Sequence, residues 1–312
     1  MSTSLHDHAA IEAARVEDLG GGLYAYVQPD GSWMINNTGF LVGRDGVTCV
    51  DSCSTERRTR AFRQALAQVT GEPVRVLVNT HSHPDHITGN ALFNQAAIVA
   101  HEATRTEVLA GFPPIHHIFQ PYEPGNLPTA APFLTYTDGL TLWVDDLRCE
   151  VRYVGTPAHT TNDSIVWVPE RSVLYAGDLV FNGGTPFLMS GSIAGAVKVL
   201  TEEIAPLGAA TIVPGHGPVC GPEVIDRVLG YLAFVQATAE KAKAAGVSPL
   251  EAARETDLGE YAAWTDPERI VGNLHRAYAE LDGQPLGAPI NFLQALEDMV
   301  AHNGGHPLTC LA

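Results

Sequence analysis

Three histidines and an aspartate lie within six consecutive residues of this 312-residue chain, His81-Ser82-His83-Pro84-Asp85-His86. Clustered imidazoles gain little from one another unless a cation sits between them, and zinc accepts imidazole nitrogen and carboxylate oxygen at about 2.0 to 2.2 Å. Pro84 bends the segment, so that the two histidines before it would face one side and the two residues after it another. The spacing therefore predicts two adjacent metal positions.

The residues that precede this segment predict the strand that positions it. Val74 to Thr80 is short and rich in β-branched residues, as buried strands are. Such a strand would place the histidines just beyond its C-terminal edge. A chance histidine-rich loop is the alternative, and the strand in front of the segment argues against it.

The pattern His-x-His-x-Asp-His after a strand, followed by an isolated histidine, an aspartate and a histidine at strand ends, resembles the metallo-β-lactamase-fold hydrolases. The matching downstream positions are His159, Asp178 and His216. The resemblance implies the α/β fold of that family, a metallo-β-lactamase-type αββα sandwich with a dinuclear metal site. One major β-lactamase branch places a thiolate where this chain has Asp178, so we do not expect this chain to belong to that branch.

The resemblance also implies a division of ligands between two metals. His81, His83 and His159 would bind the first metal, Asp85, His86 and His216 the second, and Asp178 both. Two bridged metals would lie about 3.5 to 4 Å apart and lower the pKa of a shared water to about 7. We expect two Zn²⁺, with Mn²⁺ or Fe²⁺ as alternatives. Asp85 and Asp178 are the candidate catalytic carboxylates, since Asp85 could also take up a proton.

Asp51 ends a predicted strand over residues 47–51. In the resembled fold, an aspartate at this position supports the metal loop by hydrogen bonding and does not bind metal. An aspartate that caps the following helix is the alternative. The sequence alone leaves both roles open.

The helix predicted to begin after Ser54 or Thr55 has a basic face. Its arginines are Arg57, Arg58, Arg60 and Arg63, four of only 18 Lys and Arg residues in a chain of net charge -17. They predict either a docking surface for an acidic partner or an ordinary solvated helix face.

Two segments are candidates for a substrate pocket. Residues 112–132 form a long loop rich in proline and aromatic residues, which in a compact domain is typical of a lid or binding loop. Residues 182–187 predict a second loop beside the site. The expected pocket residues are Phe112, Ile118, Phe119, Tyr122, Asn182 and Phe187. Ordinary loop packing is the alternative for each of them.

Composition limits the classes of function. The net charge of -17 would repel nucleic-acid phosphates, so we expect no nucleic-acid partner. There is no run of 18 apolar residues and no signal-peptide pattern at the N-terminus, which predicts a cytoplasmic protein without membrane contact. The five cysteines are odd in number and lack CxxC spacing, so they predict neither a disulfide framework nor a cysteine zinc site.

The chain is expected to divide into two parts. Residues 1–220 would form the αββα core with the dinuclear metal site, and residues 221–312 a helical extension packed on that core. Within the core, residues 22–27 and 33–42 predict strands. The sequence leaves a homo-oligomer open.

A narrower resemblance extends over nearly the whole chain. The segments 177–180, 185–195, 273–277 and 303–312 resemble the second- or third-ring cyclases of bacterial aromatic (type II) polyketide synthases. The resemblance implies aldol cyclisation of a partly cyclised poly-β-ketone and hydrolytic release from an acyl carrier protein, for which the arginine helix would be the docking surface. The alternatives are a general thioesterase, a lactonase, a glyoxalase II-like hydrolase, a β-lactamase, a mononuclear-iron sulfur dioxygenase and a non-enzymatic metal-binding protein.

Overall fold

The structure, a computed structural model, describes residues 13–112 and 117–312. Its first sheet has seven strands in sequence order, β1 (Arg15–Gly20), β2 (Leu23–Val27), β3 (Thr38–Gly43), β4 (Gly46–Val50), β5 (Val74–Val78), β6 (Ala97–His101) and β7 (Leu134–Tyr136). Its second sheet has the order β12-β11-β10-β9-β8, formed by β8 (Gly139–Val144), β9 (Leu147–Tyr153), β10 (Ser164–Val168), β11 (Val173–Phe181) and β12 (Thr211–His216).

Eight α-helices accompany the sheets in the described residues. They are α1 (Glu56–Val69), α2 (Pro84–Ile87), α3 (Glu102–Ala110), α4 (Ile193–Val199), α5 (Glu223–Ala244), α6 (Pro249–Glu255), α7 (Arg269–Leu281) and α8 (Phe292–His302). None of the helices in the described ranges is long and apolar enough to cross a membrane.

Three apolar clusters define the layers. Alternating side chains such as Val78 of the first sheet and Val213 of the second meet in the cluster between the sheets. On the outer face of the first sheet, Phe62 of α1 belongs to a second cluster. On the outer face of the second sheet, Val228 of α5 belongs to the largest cluster, which also includes residues of α6 to α8. The predicted αββα sandwich with a C-terminal helical region is therefore confirmed, while the boundary between residues 220 and 221 stays a prediction.

The predicted strand over 33–42 is shorter than expected. The strand β3 begins only at Thr38, because the side chain of the preceding residue, Asn37, forms hydrogen bonds outside the sheet. The Asn37 side-chain amide donates to the carbonyl of Gly217 at 2.6 Å and to that of Pro214 at 3.0 Å. These bonds tie residues 33–37 to the C-terminal end of β12, so that Trp33 lies near the site and outside the sheet.

Candidate metal centre

The metal loop, residues 81–86, leaves the C-terminal end of β5 and rests on Asp51. One carboxylate oxygen of Asp51 accepts from the Thr80 backbone N–H at 2.7 Å, and the other accepts from the Thr80 hydroxyl at 2.7 Å. The second oxygen also lies 2.8 Å from Nδ1 of His86. The cap of the next helix is Thr55, whose hydroxyl accepts from the Arg58 backbone N–H at 3.2 Å. Asp51 therefore supports the metal loop and does not cap α1.

The first group of candidate ligands comprises His81, His83, His159 and Asp178, whose ligand atoms lie within 4.8 Å of one another. Nδ1 of His83 is 2.7 Å from Nε2 of His159. The Asp178 carboxylate approaches from the other side, with Oδ2 at 3.2 Å from Nε2 of His159. Four donor atoms thus surround one position.

The second group comprises Asp85, His86 and His216, which also satisfy the 4.8 Å limit. Nε2 of His216 is 3.2 Å from Oδ2 of Asp85 and 3.4 Å from Oδ2 of Asp178. Oδ1 of Asp178 is 3.0 Å from Nε2 of His86. Asp178 therefore lies between the two groups, where one carboxylate can contact both positions.

Asp178 reaches this place through an irregularity in β11. The sequence predicts a strand that ends at residue 176, but β11 continues to Phe181 and shifts register on both sides of Gly177. Gly177 has a φ of 54°, and a Cβ there would lie 2.7 Å from the Thr80 hydroxyl oxygen. Glycine is required because a side chain would displace the threonine that holds Asp51. His216, by contrast, is the last residue of β12.

Several inward-facing atoms lack partners in a way that fits metal ligands. Nε2 of His81 is buried without a hydrogen-bond partner among the described residues, and Nε2 of His86 and Oδ1 of Asp178 make no well-aligned hydrogen bond although they lie 3.0 Å apart. Buried polar atoms nearly always have one. The outer nitrogens of His81, His86 and His216 are occupied, since they lie 3.0 Å from the Thr80 hydroxyl, 2.8 Å from Asp51 and 3.1 Å from the Gly31 carbonyl, respectively. This donor set and its outer support fit two divalent metal ions.

Burial sets the charge of the first group. It lowers the pKa of His81, of His83 and of His159, the last to about 3. Those rings are neutral at pH 7 and keep a lone pair for a metal. Burial opposes ionisation of Asp178, but the surrounding imidazoles, His216 first, hold its pKa well below the usual value.

The second group shows the opposite shift on its two histidines. Burial opposes protonation of His86, but neighbouring carboxylates, Asp178 first, hold its pKa well above the usual value. Burial alone would lower the pKa of His216, but Asp178 and then Asp85 outweigh it and raise that pKa to about 9. Burial likewise opposes ionisation of Asp85, but His86 and His216 bring its pKa to about 2. The carboxylates attract protons to the rings, and a divalent cation would replace those protons.

A cavity of about 620 Å³ opens onto both groups. Four of the expected pocket residues line it, namely Phe112, Phe119, Tyr122 and Phe187. It is also lined by Trp33, Phe181, Phe292, Glu107, Ser190 and Arg269, which the sequence analysis did not identify. The ring of Trp33 stacks on the Arg269 guanidinium, whose central carbon is 3.9 Å from the ring centroid. No local motif could have indicated these residues, because they come from distant segments.

Two expected pocket residues lie elsewhere. Ile118 is 1 % exposed and belongs to the apolar core, with its carbonyl accepting from the Leu308 N–H at 2.8 Å. Asn182 donates its side-chain amide to the Pro218 carbonyl at 2.9 Å and accepts from Arg227 at 3.3 Å. Neither borders the cavity within the described part of the chain, so these two assignments to the cavity wall are corrected.

The arginine helix α1 also differs from expectation at one position. The Arg58 side chain is 0 % exposed and donates to Oε1 of Gln28 at 3.0 Å and to the carbonyl of Leu311. Arg60 and Arg63 are exposed and Arg57 is half-buried. Arg58 therefore ties α1 to the C-terminal segment and does not belong to an exposed basic surface.

Known proteins match the part of the chain that contains the candidate ligands. The profile of the Metallo-beta-lactamase superfamily matches residues 31–216. The chain is 29% identical over 179 residues to the 2,4-dinitroanisole O-demethylase subunit alpha of Nocardioides sp. (strain JS1661), covering 56% of this chain and 51% of that protein. It is 23% identical over 223 residues to a metallo-beta-lactamase type 2 of Bacteroides fragilis, covering 68% and 82%.

Solved structures share the fold. A metallo-beta-lactamase from Pontibacter korlensis superposes with a TM-score of 0.59 at 17% identity, over 70% of this chain and 99% of that one. The chain spans about half the length of the O-demethylase subunit. Because the superfamily profile covers more than half of the chain and includes all seven candidate ligands, the chain belongs to the metallo-beta-lactamase superfamily of metal-dependent hydrolases.

Proposed function

We propose that the protein is a metal-dependent cyclase and thioesterase that acts on an aromatic polyketide intermediate bound to an acyl carrier protein. One observation carries the proposal: a cavity of about 620 Å³ with aromatic walls ends on both groups of candidate ligands. That volume is in the range of cavities that enclose a small organic molecule. A molecule of several fused or partly formed rings would fill it.

The aromatic walls support a planar substrate. The Trp33 ring lies edge to face with Phe119 and with Phe187, each at 5.2 Å between centroids. Phe187 is also 6.3 Å from Phe292 in the same arrangement. Aromatic pairs of this kind favour stacked or edge-on contact with a further ring and exclude water from it. These side chains would hold the ring plane while the reactive carbonyl points to the ligand groups.

The chain's own residues then supply the remaining functions. Bound metals would polarise a thioester or ketone carbonyl and supply hydroxide at neutral pH. The Ser190 hydroxyl borders the cavity 3.4 Å from Nε2 of His83. Tyr122 also lines the cavity, and its phenol, whose pKa burial raises to about 12, can donate a hydrogen bond to a substrate carbonyl. Enolate formation and hydrolysis both need such stabilised oxygen charge.

The names of two relatives agree with parts of this proposal. The O-demethylase subunit is named for 2,4-dinitroanisole, an aromatic compound. The Bacteroides fragilis relative is named as a β-lactamase, which indicates cleavage of an acyl bond. A substrate with an aromatic ring and an acyl bond would combine these two features. At these identities the support is for the class of substrate and reaction only.

We further propose that the acyl carrier protein docks on the exposed face of α1. Arg60 and Arg63 are exposed there, with Arg60 paired to Glu56 at 2.6 Å and the Arg63 guanidinium 5.6 Å from the ring of Phe93. Arg57 flanks them. On a chain of net charge -17 this basic face would attract an acidic carrier and orient it.

Product analysis tests the function directly. Metal-replete protein and its Asp178→Ala variant would be given a bicyclic β-ketone thioester of N-acetylcysteamine, and products followed by mass. We expect loss of water before loss of the thiol in the parent protein, and neither in the variant. Free acid without a cyclised product would identify a plain thioesterase and contradict cyclisation. A single bound iron with oxygen uptake on a thiol substrate would identify a sulfur dioxygenase instead.

A further inference from the structure

We propose that helix α7 determines which substrates the cavity admits, by holding the segment 185–190 that forms one cavity wall. The helix lies outside the superfamily match, which ends at residue 216. Arg269, Asn273 and Arg276 are the positioning residues. The inference rests on the proposed function to the extent that selection is measured from thioester turnover.

The wall segment, residues 185–190, is buried without being a helix or strand. Thr185 is 1 % exposed, Leu188 3 % and Met189 1 %. Buried backbone carbonyls need hydrogen-bond partners, which a strand or helix would supply from its own backbone. The wall segment must therefore obtain them from other elements.

A row of polar side chains on α7 supplies them. Arg269 donates to the Thr185 carbonyl at 2.8 Å and Asn273 to that of Pro186 at 2.8 Å. Residues 269, 273 and 276 are spaced by four and three positions and so share one helix face. This face follows the wall segment turn by turn.

The third member of the row fixes the end of the wall segment. Arg276 donates one guanidinium nitrogen to the carbonyl of Met189 and the other to that of Ala288 at 2.7 Å. Asn273 also accepts from the Leu188 N–H at 3.1 Å, so its amide is used in both directions. The carbonyls of Thr185, Pro186 and Met189 are thus each bound by a side chain that is itself buried, which leaves the wall segment little freedom.

The helix and the wall segment also touch directly at Gly272. A Cβ at this position would lie 2.4 Å from the sulfur of Met189 and 2.9 Å from its Cγ. Cβ atoms do not approach non-bonded atoms this closely, so any residue larger than glycine at position 272 would displace Met189. Glycine inside a helix is otherwise unfavourable by about 0.5–1 kcal/mol relative to alanine. Its presence here accommodates the close approach of the wall segment.

The wall segment carries two side chains into the site. The Phe187 ring lies 5.8 Å from the His83 ring and 6.3 Å from the His159 ring. The Ser190 hydroxyl is 3.4 Å from Nε2 of His83. Neither is a candidate metal ligand. A shift of the wall segment would change the shape of the cavity while all seven candidate ligands stay in place.

The test compares a large and a small substrate. Arg276→Met would be assayed with the bicyclic β-ketone thioester and with acetyl-N-acetylcysteamine, using metal-replete protein. We expect KM for the bicyclic thioester to rise about tenfold and kcat for the acetyl thioester to change less than about twofold. His275→Gln is the matched control, because His275 lies on the same helix but binds Asp298 at 2.8 Å, away from the wall segment.

A second variant covers the case in which Arg276→Met does not fold. Gly272→Ala adds one methyl group, displaces Met189 and removes no hydrogen bond. We expect the same selective rise in KM, with faster hydrogen exchange at the amides of residues 185–190 and unchanged metal content. Equal changes in KM for the two thioesters would overturn the proposal. Faster hydrogen exchange at residues 185–190 without a change in the ratio of the two KM values would also overturn it.

Ligand binding separates this inference from the proposed function. If the parent protein turns over neither thioester, the proposed function fails, but the cavity can still be probed by calorimetry with 2-naphthoate and acetate. Gly272→Ala should then weaken binding of 2-naphthoate about tenfold and leave acetate unchanged. Equal effects on both anions would show that α7 does not control the cavity.

Discussion

Two buried segments border the cavity, and they are held in place by different parts of the molecule. The metal loop leaves β5 and is fixed by Asp51, with its partners inside the region that matches the superfamily. The wall segment 185–190 lies within the same region, but its carbonyls are bound by α7, which lies outside it. The ligand groups and the cavity shape therefore depend on separate elements, and substitutions should affect one without the other.

The largest effect is expected from the residue shared by both ligand groups. Asp178→Ala removes the carboxylate that lies between them, so we expect loss of bound metal and a fall in turnover of about a thousandfold. Metal content by plasma mass spectrometry and turnover of the bicyclic thioester measure this. Retention of two metals per chain by the variant would contradict the assigned role of Asp178.

A smaller effect is expected from the support of the metal loop. Asp51→Ala removes the acceptor for both Thr80 donors and for His86, so metal affinity should fall about 10- to 100-fold. Competition with a chromogenic chelator measures the affinity. Thr80→Val is the graded comparison, since it removes the hydroxyl contacts to Asp51 and to Nδ1 of His81 but keeps the backbone donor and the His86 contact, and should lower affinity less. Equal affinity in Asp51→Ala and the parent protein would rule out this support.

The opposite pattern is expected on the cavity wall. Phe187→Ala removes the ring that contacts Trp33 and faces the candidate ligands, so KM for the bicyclic thioester should rise about fivefold while metal content stays unchanged. Phe133→Ala, a substitution of an edge residue that is 74 % exposed, serves as the control and should change neither quantity. Loss of metal from Phe187→Ala would show that the ligand groups depend on the cavity wall, and would contradict the independence of the two segments.

The smallest effect is expected on the surface of α1. Replacing Arg60 and Arg63 together by glutamate should raise KM for the carrier-bound thioester about threefold at low salt, and leave the free thioester unaffected. Lys198→Glu reverses an exposed charge on α4 and is the control. The difference should vanish at high salt, because exposed charges are then screened. The same rise for both thioesters would exclude docking on this face.

The sequence was informative where a short pattern specifies the chemistry. The ligand motif and the three downstream positions fall in the two groups because the end of β5, the loop between β9 and β10, the irregular part of β11 and the end of β12 meet at one edge of the sandwich. The pocket residues were harder to predict from the sequence. Phe119 forms an isolated parallel bridge with Leu308, so the chain is extended at this point. Neighbouring side chains of an extended segment point to opposite sides. Because Phe119 faces the cavity, Ile118 faces the core.

The role of α7 could not be predicted for a different reason. Residues 221–312 are predicted to form helices packed on the core, and the buried cluster contains Ile270 and Leu274 of α7. Polar residues on such a helix are expected to face solvent, yet Asn273 is 0 % exposed and Arg276 1 %. Their partners in the wall segment lie more than 80 positions earlier in the chain. No local pattern encodes such a pairing.

The position of α7 in the chain has a consequence for synthesis on the ribosome. All seven candidate ligands are synthesised before Arg269, since His216 is the last of them and lies 53 positions earlier. At typical elongation rates of about 5–20 residues per second, several seconds separate the two events. A nascent chain could therefore acquire its metals before its substrate selectivity, and would pass through a stage in which the hydrolytic centre is open to any small acyl compound.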